Sequence, residues 1–389
     1  MKMVETKIDP YKHKERFLRW KEQSAEGIKG LSPQNGLILK SYLSDMENGL
    51  NVASLMKKGP RSYTRLYTLK IRIAFLMKMF EQRLNLDDLT KVDEQQLHNL
   101  FTELRTGVIK KHDGNLYQSA KDYARDFKAF WHWHQKVNKK KGIGIEDITM
   151  DLDTTGEKPK WVYLTENQVK LLADRAKYEY KVLIWFLFDT GIRAPTELMN
   201  IRVADLQNDC KELNIRQEIS KTFGRRIKLM LCSGLIKDYI REKGLQAQDY
   251  LFKICPPVTN RYLKRLAKRI LGDGESLARE NYSQLTMYDF RHCASCYWLP
   301  RYKSESALKY RFGWKKSDKI HYYSELLGMK DTINEDDMLI DVTKGEMEKR
   351  LERSEKEKEI MQEQMNVMQI QFVEVGKLLE QIKAQGVIL

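Results

Sequence analysis

The sequence lacks any apolar run of the ~18–20 residues that a membrane-spanning helix needs. Its N-terminal stretch, MKMVETKIDPYKHKERF, has no hydrophobic core of the kind that a secretory signal carries. Cysteine is scarce, and the five cysteines are an odd number, which is typical of a reducing compartment. We therefore expect a cytoplasmic protein that does not act in a membrane.

The sequence also lacks a recognisable metal site. Cys293 and Cys296 form one CxxC, and no second pair has the spacing that the four ligands of structural zinc require. Two buried small side chains one helical turn apart are the simpler interpretation. There is no acidic cluster and no His/Cys array of the nuclease type. We therefore predict neither a metal nor another cofactor.

Acidic residues are in the minority, because 69 Lys and Arg stand against 54 Asp and Glu for a formal charge of +15. Phosphates attract such bases and release counterions on binding, so the excess predicts a polyanionic partner. Aromatic residues are interleaved with the bases, which favours nucleic acid over a merely soluble basic protein. At 389 residues and 42% hydrophobic content, the chain is long enough for two or three domains.

The chain is predicted to be mainly helical. Hydrophobic periodicity and linker composition divide it into a basic N-terminal arm (residues 1–31), a small all-helical domain (32–145), a linker (146–160), a second domain (161–342) and a C-terminal tail (343–389). In the tail, apolar residues follow steps of four and three over six heptads, which predicts a coiled coil. Pairing with itself or with a partner is favoured over packing back on its own domain.

The second domain is predicted to contain a β-hairpin. Apolar residues alternate with polar ones before and after a Gly-containing turn, at Leu213, Ile215, Ile219, Ile227, Leu229 and Leu231. The fold class is therefore mainly α with a small antiparallel β-sheet in an α+β domain.

A helix predicted near residues 258–271 carries bases on one face and no acid among them. These bases are Arg261, Lys264, Arg265, Lys268 and Arg269. A solvated basic face is the usual explanation, and a surface that faces phosphates is the alternative left open.

Phosphodiester cleavage without a metal needs a nucleophile, fixed donors for the phosphate charge and an acid for the leaving oxygen. Arg suits the second task because its planar fork donates two hydrogen bonds to phosphate oxygens, and Lys or His suits the third. Tyr suits the first task because the phenolate can later leave, which makes the reaction reversible. With no metal cluster in the sequence, covalent catalysis is favoured over metal-activated water.

The residue types needed for this chemistry occur in separate motifs. In order, these are Thr190-Gly191-Ile192-Arg193 followed by Glu197, Lys221 with Arg226 in the hairpin, Tyr288-Asp289-Phe290-Arg291-His292, Phe312-Gly313-Trp314, and Tyr322-Tyr323. Over about residues 32–330 the ordered set resembles the tyrosine recombinase (phage integrase) family, and most of all the integrases of archaeal viruses or plasmids. The helical domain resembles the core-binding domain of that family.

The resemblance implies a role for each candidate. Arg193 and Arg291 would hold the scissile phosphate, Lys221 would protonate the leaving 5′-oxygen, Trp314 would buttress the site, and Tyr323 would join to the 3′-phosphate. Tyr288, also a catalytic candidate, stands where the family most often has histidine; either it only orients the phosphate, or neighbouring His292 takes some of the proton transfer. His292 and Tyr322 are accessory candidates. Arg226 and the five bases of residues 258–271 are DNA-binding candidates. Glu197 lies four residues after Arg193, where the family usually shows three.

The resemblance also implies partners and a place of action: double-stranded DNA attachment sites, a tetramer on DNA, and the nucleoid of a prokaryotic host. Two other functions stay open. One is a type IB topoisomerase, which uses similar chemistry as a monomer, and the other is a non-enzymatic DNA-binding protein with a degenerate site. Each residue also has an ordinary structural alternative, such as a pairing of Arg193 with Asp189.

Overall fold

The computed structural model describes residues 7–52, 58–112, 114–117, 119–156, 159–302 and 304–327, and the single residues 358, 361, 362, 365 and 368. The chain divides into two units, Met1–Lys319 and Ile320–Leu389. The five single residues are helical, and the rest of the coiled coil predicted for residues 343–389 lies outside the described residues. None of the helices in the described part has the length and apolar character that crossing a bilayer requires.

The N-terminal part of the first unit is helical. Its described helices are α1 (His13–Gln23), α2 (Pro33–Asn48), α3 (Tyr63–Leu84), α4 (Glu94–Thr106) and α5 (Ala120–Lys139). Ser32 and Ser62 begin α2 and α3 because their hydroxyls accept backbone N–H groups three residues on. The apolar faces of these helices bury one core, whose residues run from Phe17 to Leu152 in sequence.

The segment predicted as a basic arm is in part a core helix. Helix α1 packs against α3, and Phe17 is only 1% exposed. The ammonium group of Lys14 lies 5.5 Å from the ring centroid of Tyr63, and the guanidinium of Arg16 lies 5.8 Å from that of Tyr67. Charged side chains therefore cover aromatic surface here, which explains why the periodicity of α1 is weak in sequence.

The C-terminal part of the first unit is built around an apolar helix. Its helices are α6 (Glu166–Arg175), α7 (Tyr178–Thr190), α8 (Ser233–Lys243), α9 (Pro256–Leu271), α10 (Asp289–Trp298) and α11 (Glu305–Phe312). Helix α7 packs against α6, α8 and α10, so it is buried on several sides. Helix α12 (Asp318–Leu326) crosses the boundary between the two units.

A small antiparallel sheet completes this part, which confirms the predicted fold class. Its strands, in the order β1 (Leu206–Gln207), β2 (Glu212–Ile215) and β3 (Arg225–Lys228), pair so that Ile215 lies opposite Arg225. The hairpin is confirmed, but its strands are shorter than the alternation predicted. Residues 216–224 form a loop, which the side chain of Gln217 closes by accepting the N–H of Gly224. Lys221 and Ile219 both lie in this loop.

Candidate functional site

Two arginines from distant elements converge on one turn. Arg193 follows the end of α7 and donates from Nη2 to the carbonyl of Gly313 at 2.9 Å. Arg291, in α10, donates to the carbonyls of Gly191 and Phe312, both at 2.5 Å. The turn at Phe312 and Gly313, which ends α11, therefore fixes both guanidiniums. Arg193 uses one of its five N–H donors on Gly313 and one on Glu197, and Arg291 uses two on the carbonyls. Each guanidinium therefore has further N–H donors for an anion.

Gly313 is the residue that permits this convergence. Its φ is +62°, which L side chains rarely adopt. A Cβ added there would lie 3.0 Å from Thr222 Oγ1, 3.1 Å from Arg225 Nη1 and 3.3 Å from Arg193 Nη1. The carbonyl of Gly313 also accepts the hydroxyl of Thr222 at 3.0 Å. The turn thus joins the end of α7 to the loop that holds Lys221.

Glu197 is the counterion of this cluster. It is fully buried, and its carboxylate accepts Arg193 Nη1 at 2.6 Å and Arg225 Nη2 at 2.8 Å. The hydroxyl of Ser220 donates to it at 3.3 Å. Although its spacing from Arg193 differs from the family pattern, Glu197 turns back towards Arg193, and it also accepts the backbone N–H of that residue.

Arg225 was not among the residues predicted from sequence. Its side chain is fully buried, and Nε donates to the carbonyl of Arg311 at 2.9 Å. In β3 the side chains alternate, so Arg225 and Ile227 face inward while Arg226 and Lys228 face outward. The alternation in the sequence could have revealed Arg225, because a side chain two residues from the buried Ile227 lies on the same face of the strand and must be buried too. Arg226, the predicted residue, is exposed and lies 3.8 Å from the carboxylate of Glu212.

The charges of the cluster shift two pKa values. Burial alone would raise the pKa of Glu197, but the hydrogen bond and charge of Arg225, with the charges of Arg193 and Arg291, lower it to about 2. Burial and the nearby charge of Arg193 lower the pKa of Arg291 to about 10. Both groups are therefore ionised at neutral pH. The repulsion between Arg291 and Arg193 would be relieved by an anion bound between them.

Lys221 is exposed in a loop whose neighbouring residues are held. Ser220 bonds to Glu197 and Thr222 bonds to the carbonyl of Gly313, so the residues on both sides of Lys221 are tied to the arginine cluster. Lys221 itself makes no hydrogen bond or ion pair with any residue that the structure describes. Its backbone is thus anchored at the cluster while its ammonium group faces solvent.

The aromatic candidates surround α10 and the turn. Tyr288 is 47% exposed at the start of α10, and its ring meets the edge of the His292 ring at 5.2 Å. His292 stacks on Trp161 at 4.7 Å. Burial, then the charges of Arg291 and Lys319, lower the pKa of His292 to about 3. The imidazole is therefore neutral near pH 7 and has no imidazolium proton to give.

Trp314 and the two tyrosines follow the turn. The Trp314 ring stacks on Phe312, with centroids 4.8 Å apart and planes 19° apart. Tyr322 and Tyr323 lie in α12, where Tyr323 is buried and the two rings meet edge to face at 5.1 Å. Both tyrosines belong to the second unit. Their assignment as nucleophile and accessory residue stays a prediction.

Of the five bases on the face of α9, three have partners within the described part of the chain and two do not. Lys264 bonds to Gln284 at 2.8 Å, Lys268 pairs with Asp273 at 2.7 Å, and Arg269 donates to the carbonyl of Arg175 at 3.4 Å. Arg261 and Arg265 are exposed, and neither has a hydrogen bond or ion pair within the described part of the chain. The side-chain Oδ1 of Asn260 accepts the N–H of Met287 at 3.0 Å, which fixes this helix against the segment that enters α10.

A second buried ion pair, between Arg311 and Asp189, lies next to the turn. Arg311 is 2% exposed, donates to Asp189 Oδ1 at 2.8 Å and lies 4.1 Å from the ring centroid of Trp298. The other carboxylate oxygen of Asp189 accepts three successive backbone N–H groups, those of Met230, Leu231 and Cys232. Asp189 is therefore the partner of Arg311, and the alternative pairing with Arg193 is wrong. Arg311 was also missed from sequence.

The CxxC cysteines are buried in α10 as small side chains. Cys293 Sγ accepts the N–H of Leu164 at 3.3 Å, and Cys296 is 4% exposed. Within the described ranges, no group of three or more His, Cys, Asp or Glu side chains is arranged to hold a metal ion.

Replacing Arg225 by Met is expected to destabilise the fold by about 3–5 kcal/mol at pH 7, because it leaves the buried carboxylate of Glu197 with one cationic partner fewer. Guanidinium titration followed by tryptophan fluorescence measures this. The loss should shrink at pH 3, since the pKa of Glu197 in the variant is no longer held near 2 and the carboxylate protonates. Arg226→Met, one residue on and exposed, is the matched control. An equal loss in both variants would contradict the role of the buried pair.

No protein-family model matches the chain, and no curated protein matches it in sequence. Among solved structures, the chain is similar to the Tn1549 transposon integrase in complex with circular intermediate DNA, with 15% identity, a TM-score of 0.52, and coverage of 74% of this chain and 94% of that one.

Two further structures agree. For a lambda integrase dimer bound to a COC′ core site the identity is 13%, the TM-score 0.53, and the coverage 77% of this chain and 79% of that one. For the XerH site-specific recombinase bound to palindromic difH substrate in a post-cleavage complex, the identity is 14% and the TM-score 0.53. The match covers 87% of this chain and 98% of that one. At such low identities the likeness shows the fold, and this chain has the fold of these integrases and recombinases.

Proposed function

We propose that the chain is a site-specific DNA recombinase of the tyrosine type, which cleaves and rejoins DNA through a 3′-phosphotyrosyl intermediate. One observation carries the proposal: Arg193 and Arg291 converge on the turn immediately before Trp314, and the loop of Lys221 is tied to the same turn. The fold shared with DNA-bound integrases supports it.

The first task in this mechanism is to hold the scissile phosphate. The unused N–H groups of Arg193 and Arg291 would donate to its two non-bridging oxygens. Arg suits this task because the guanidinium fork matches phosphate geometry. The lowered pKa of Arg291 supports the assignment, since two like charges in a buried site are stabilised by an anion between them.

The second task is the transfer itself. The phenolic oxygen of Tyr323 would form a bond to phosphorus as the bond from phosphorus to the 5′-oxygen breaks. The phenolic proton leaves to solvent, and Lys221 gives a proton to the departing oxygen. An exposed ammonium on an anchored loop suits this role, because it reaches a bound duplex without first breaking an ion pair. Neutral His292 is not suited to the same proton transfer.

A nicked suicide substrate tests the proposal. Cleavage next to the nick releases a short strand, so the covalent complex accumulates, and mass spectrometry of the trapped adduct names the attached residue. We expect a covalent adduct with the wild-type chain. Salt-dependent DNA binding without any adduct would indicate a non-enzymatic binding protein. Relaxation of any supercoiled plasmid without strand exchange would indicate a topoisomerase.

Two exposed arginines of α9 are proposed to contact the DNA backbone. The double variant Arg261→Ala/Arg265→Ala should weaken DNA binding and reduce the slope of log K against log salt by about 1–2, since each lost phosphate contact releases about 0.9 counterion fewer. Fluorescence anisotropy at several salt concentrations measures this. Lys268→Ala is the control, because Lys268 already pairs with Asp273. If Lys268→Ala lowers the slope as much as the double variant, the proposed division of this face is wrong.

We also propose the context in which the chain acts. Its partners would be two duplex attachment sites bound by a tetramer, in the nucleoid of a prokaryotic host, with an archaeal virus or plasmid as its source. The heptad tail would pair copies of the chain or bind an accessory protein. The described tail residues Met361, Met365 and Met368 are helical, one turn apart and more than half exposed, which supports an apolar pairing face.

A further inference from the structure

Lys7 and Ile8, the first two residues that the structure describes, lie against the C-terminal part of the first unit. The N–H of Ile8 donates to Asn200 Oδ1 at 2.8 Å, and Asn200 Nδ2 donates back to the carbonyl of Ile8 at 3.0 Å. One side-chain amide therefore pairs with both backbone polar groups of a residue 192 positions away in sequence. Asn200 itself is 2% exposed, and both hydrogen bonds of the pair are partly buried.

The same segment reaches the loop of Lys221. The ammonium of Lys7 donates to the carbonyl of Ile219 at 3.0 Å, two residues before Lys221. Arg216, at the start of the loop, donates to the carbonyl of Asn200 at 2.7 Å. Asn200 and the early part of the loop are thus held together, and Lys7 and Ile8 lie across both.

The other end of the segment is fixed in the helical core. The carboxylate of Asp9 accepts the N–H groups of Tyr11 and of His13, and His13 is the first residue of α1. Phe17 of α1 is buried in that core. Three consecutive residues therefore connect the helical core with the loop of Lys221. We call Lys7 and Ile8 the strap.

We infer that the strap, seated on Asn200, positions the loop of Lys221 for proton transfer to the leaving oxygen; this rests on the proposed function. After Lys221 the loop is tied by Thr222, whose hydroxyl bonds to Gly313. Before Lys221 it is tied by the 3.3 Å bond from Ser220 to Glu197 and by the bond from Lys7 to Ile219. Lys7, Ile8 and Asn200 are positioning residues, since none of them is placed on the phosphate.

Two truncations separate the strap from what precedes it. A chain lacking residues 1–6 keeps the strap, and a chain lacking residues 1–8 loses it while keeping Asp9, whose carboxylate accepts the N–H of His13 at the start of α1. Cleavage is measured on the suicide substrate and on a matched substrate with sulfur in place of the bridging 5′-oxygen. A thiolate is a far weaker base than an alkoxide, so it departs without a donated proton, and only loss of proton transfer is rescued by sulfur.

We expect the shorter truncation to cleave the oxygen substrate at the wild-type rate and the longer one to be about 10–100-fold slower, as for a misplaced catalytic group. On the sulfur substrate the longer truncation should cleave at near the wild-type rate. Lys221→Ala should be rescued by sulfur in the same way. Lys7→Met should give a smaller loss with the same rescue, and Lys7→Arg, which keeps the donor, should cleave as wild type.

Two results would overturn the strap alone. One is equal rates of the two truncations on oxygen. The other is a loss of cleavage rate in the longer truncation that is equal on the oxygen and sulfur substrates. If that truncation misfolds, the same result in Lys7→Met would overturn the strap. If the wild-type chain forms no adduct with either substrate, the proposed function itself fails, and the role of the strap in the reaction fails with it.

Discussion

Tyr323→Phe is expected to abolish the covalent protein–DNA adduct, while Tyr322→Phe is expected to retain it. Phenylalanine keeps the ring and removes only the oxygen that would bond to phosphorus, so packing within α12 is preserved. The nicked suicide substrate, resolved on a denaturing gel, measures the adduct, and a mobility shift checks that DNA binding is unchanged.

The two tyrosines are adjacent on one helix, which makes each the control of the other. They point in different directions, since Tyr323 is buried and Tyr322 is partly exposed. An adduct trapped by Tyr323→Phe and lost in Tyr322→Phe would move the nucleophile by one residue. An adduct lost in both variants, with DNA binding intact, would make Tyr322 a second requirement of the reaction.

Arg291→Met is expected to slow cleavage about 10²–10³-fold, the usual cost of losing one donor that stabilises developing charge. Its effect on the fold should be smaller than that of Arg311→Met. Arg291 donates to two carbonyls and is repelled by Arg193, whereas Arg311 neutralises the buried carboxylate of Asp189. Loss of that partner leaves an unpaired buried charge, which costs about 3–5 kcal/mol.

The experiment compares these two buried arginines by rate and by stability. Single-turnover cleavage is measured at saturating DNA and well below the melting temperature of each variant, and thermal unfolding is measured without DNA. Arg291→Met should lower mainly the rate and Arg311→Met mainly the melting temperature. A wild-type cleavage rate in Arg291→Met would remove Arg291 from the mechanism, whatever its melting temperature.

Local signals in the sequence predicted most of the elements. The side chain of Ser32 caps α2, and Thr165 and Gln168 form the capping box that begins α6, so both of these helix starts rest on residues close to each other in sequence. The hairpin was found because alternation is a local pattern. Its strands were predicted too long, since Ile219 continues the alternation although its carbonyl bonds to the distant Lys7.

The parts of the site that sequence did not reveal depend on long-range contacts. Arg225 and Arg311 were missed because a buried arginine is tolerated only where a distant chain segment supplies an acid, here Glu197 and Asp189. No local pattern shows that pairing. Arg193 and Arg291 were found only through the ordered motifs, and it is the turn at Gly313 that brings them together.

The buried cluster has a charge balance with a consequence for the reaction. Arg193, Arg225 and Arg291 contribute three positive charges and Glu197 one negative charge, which leaves a surplus of two. A resting phosphodiester brings one negative charge, and attack by a phenolate adds a second. On the proposed mechanism, the charge of these four residues is thus matched only when the nucleophile has engaged phosphorus, with the ammonium of Lys221 outside this count, so Glu197 sets the cluster to favour the transition state over bound, uncut DNA.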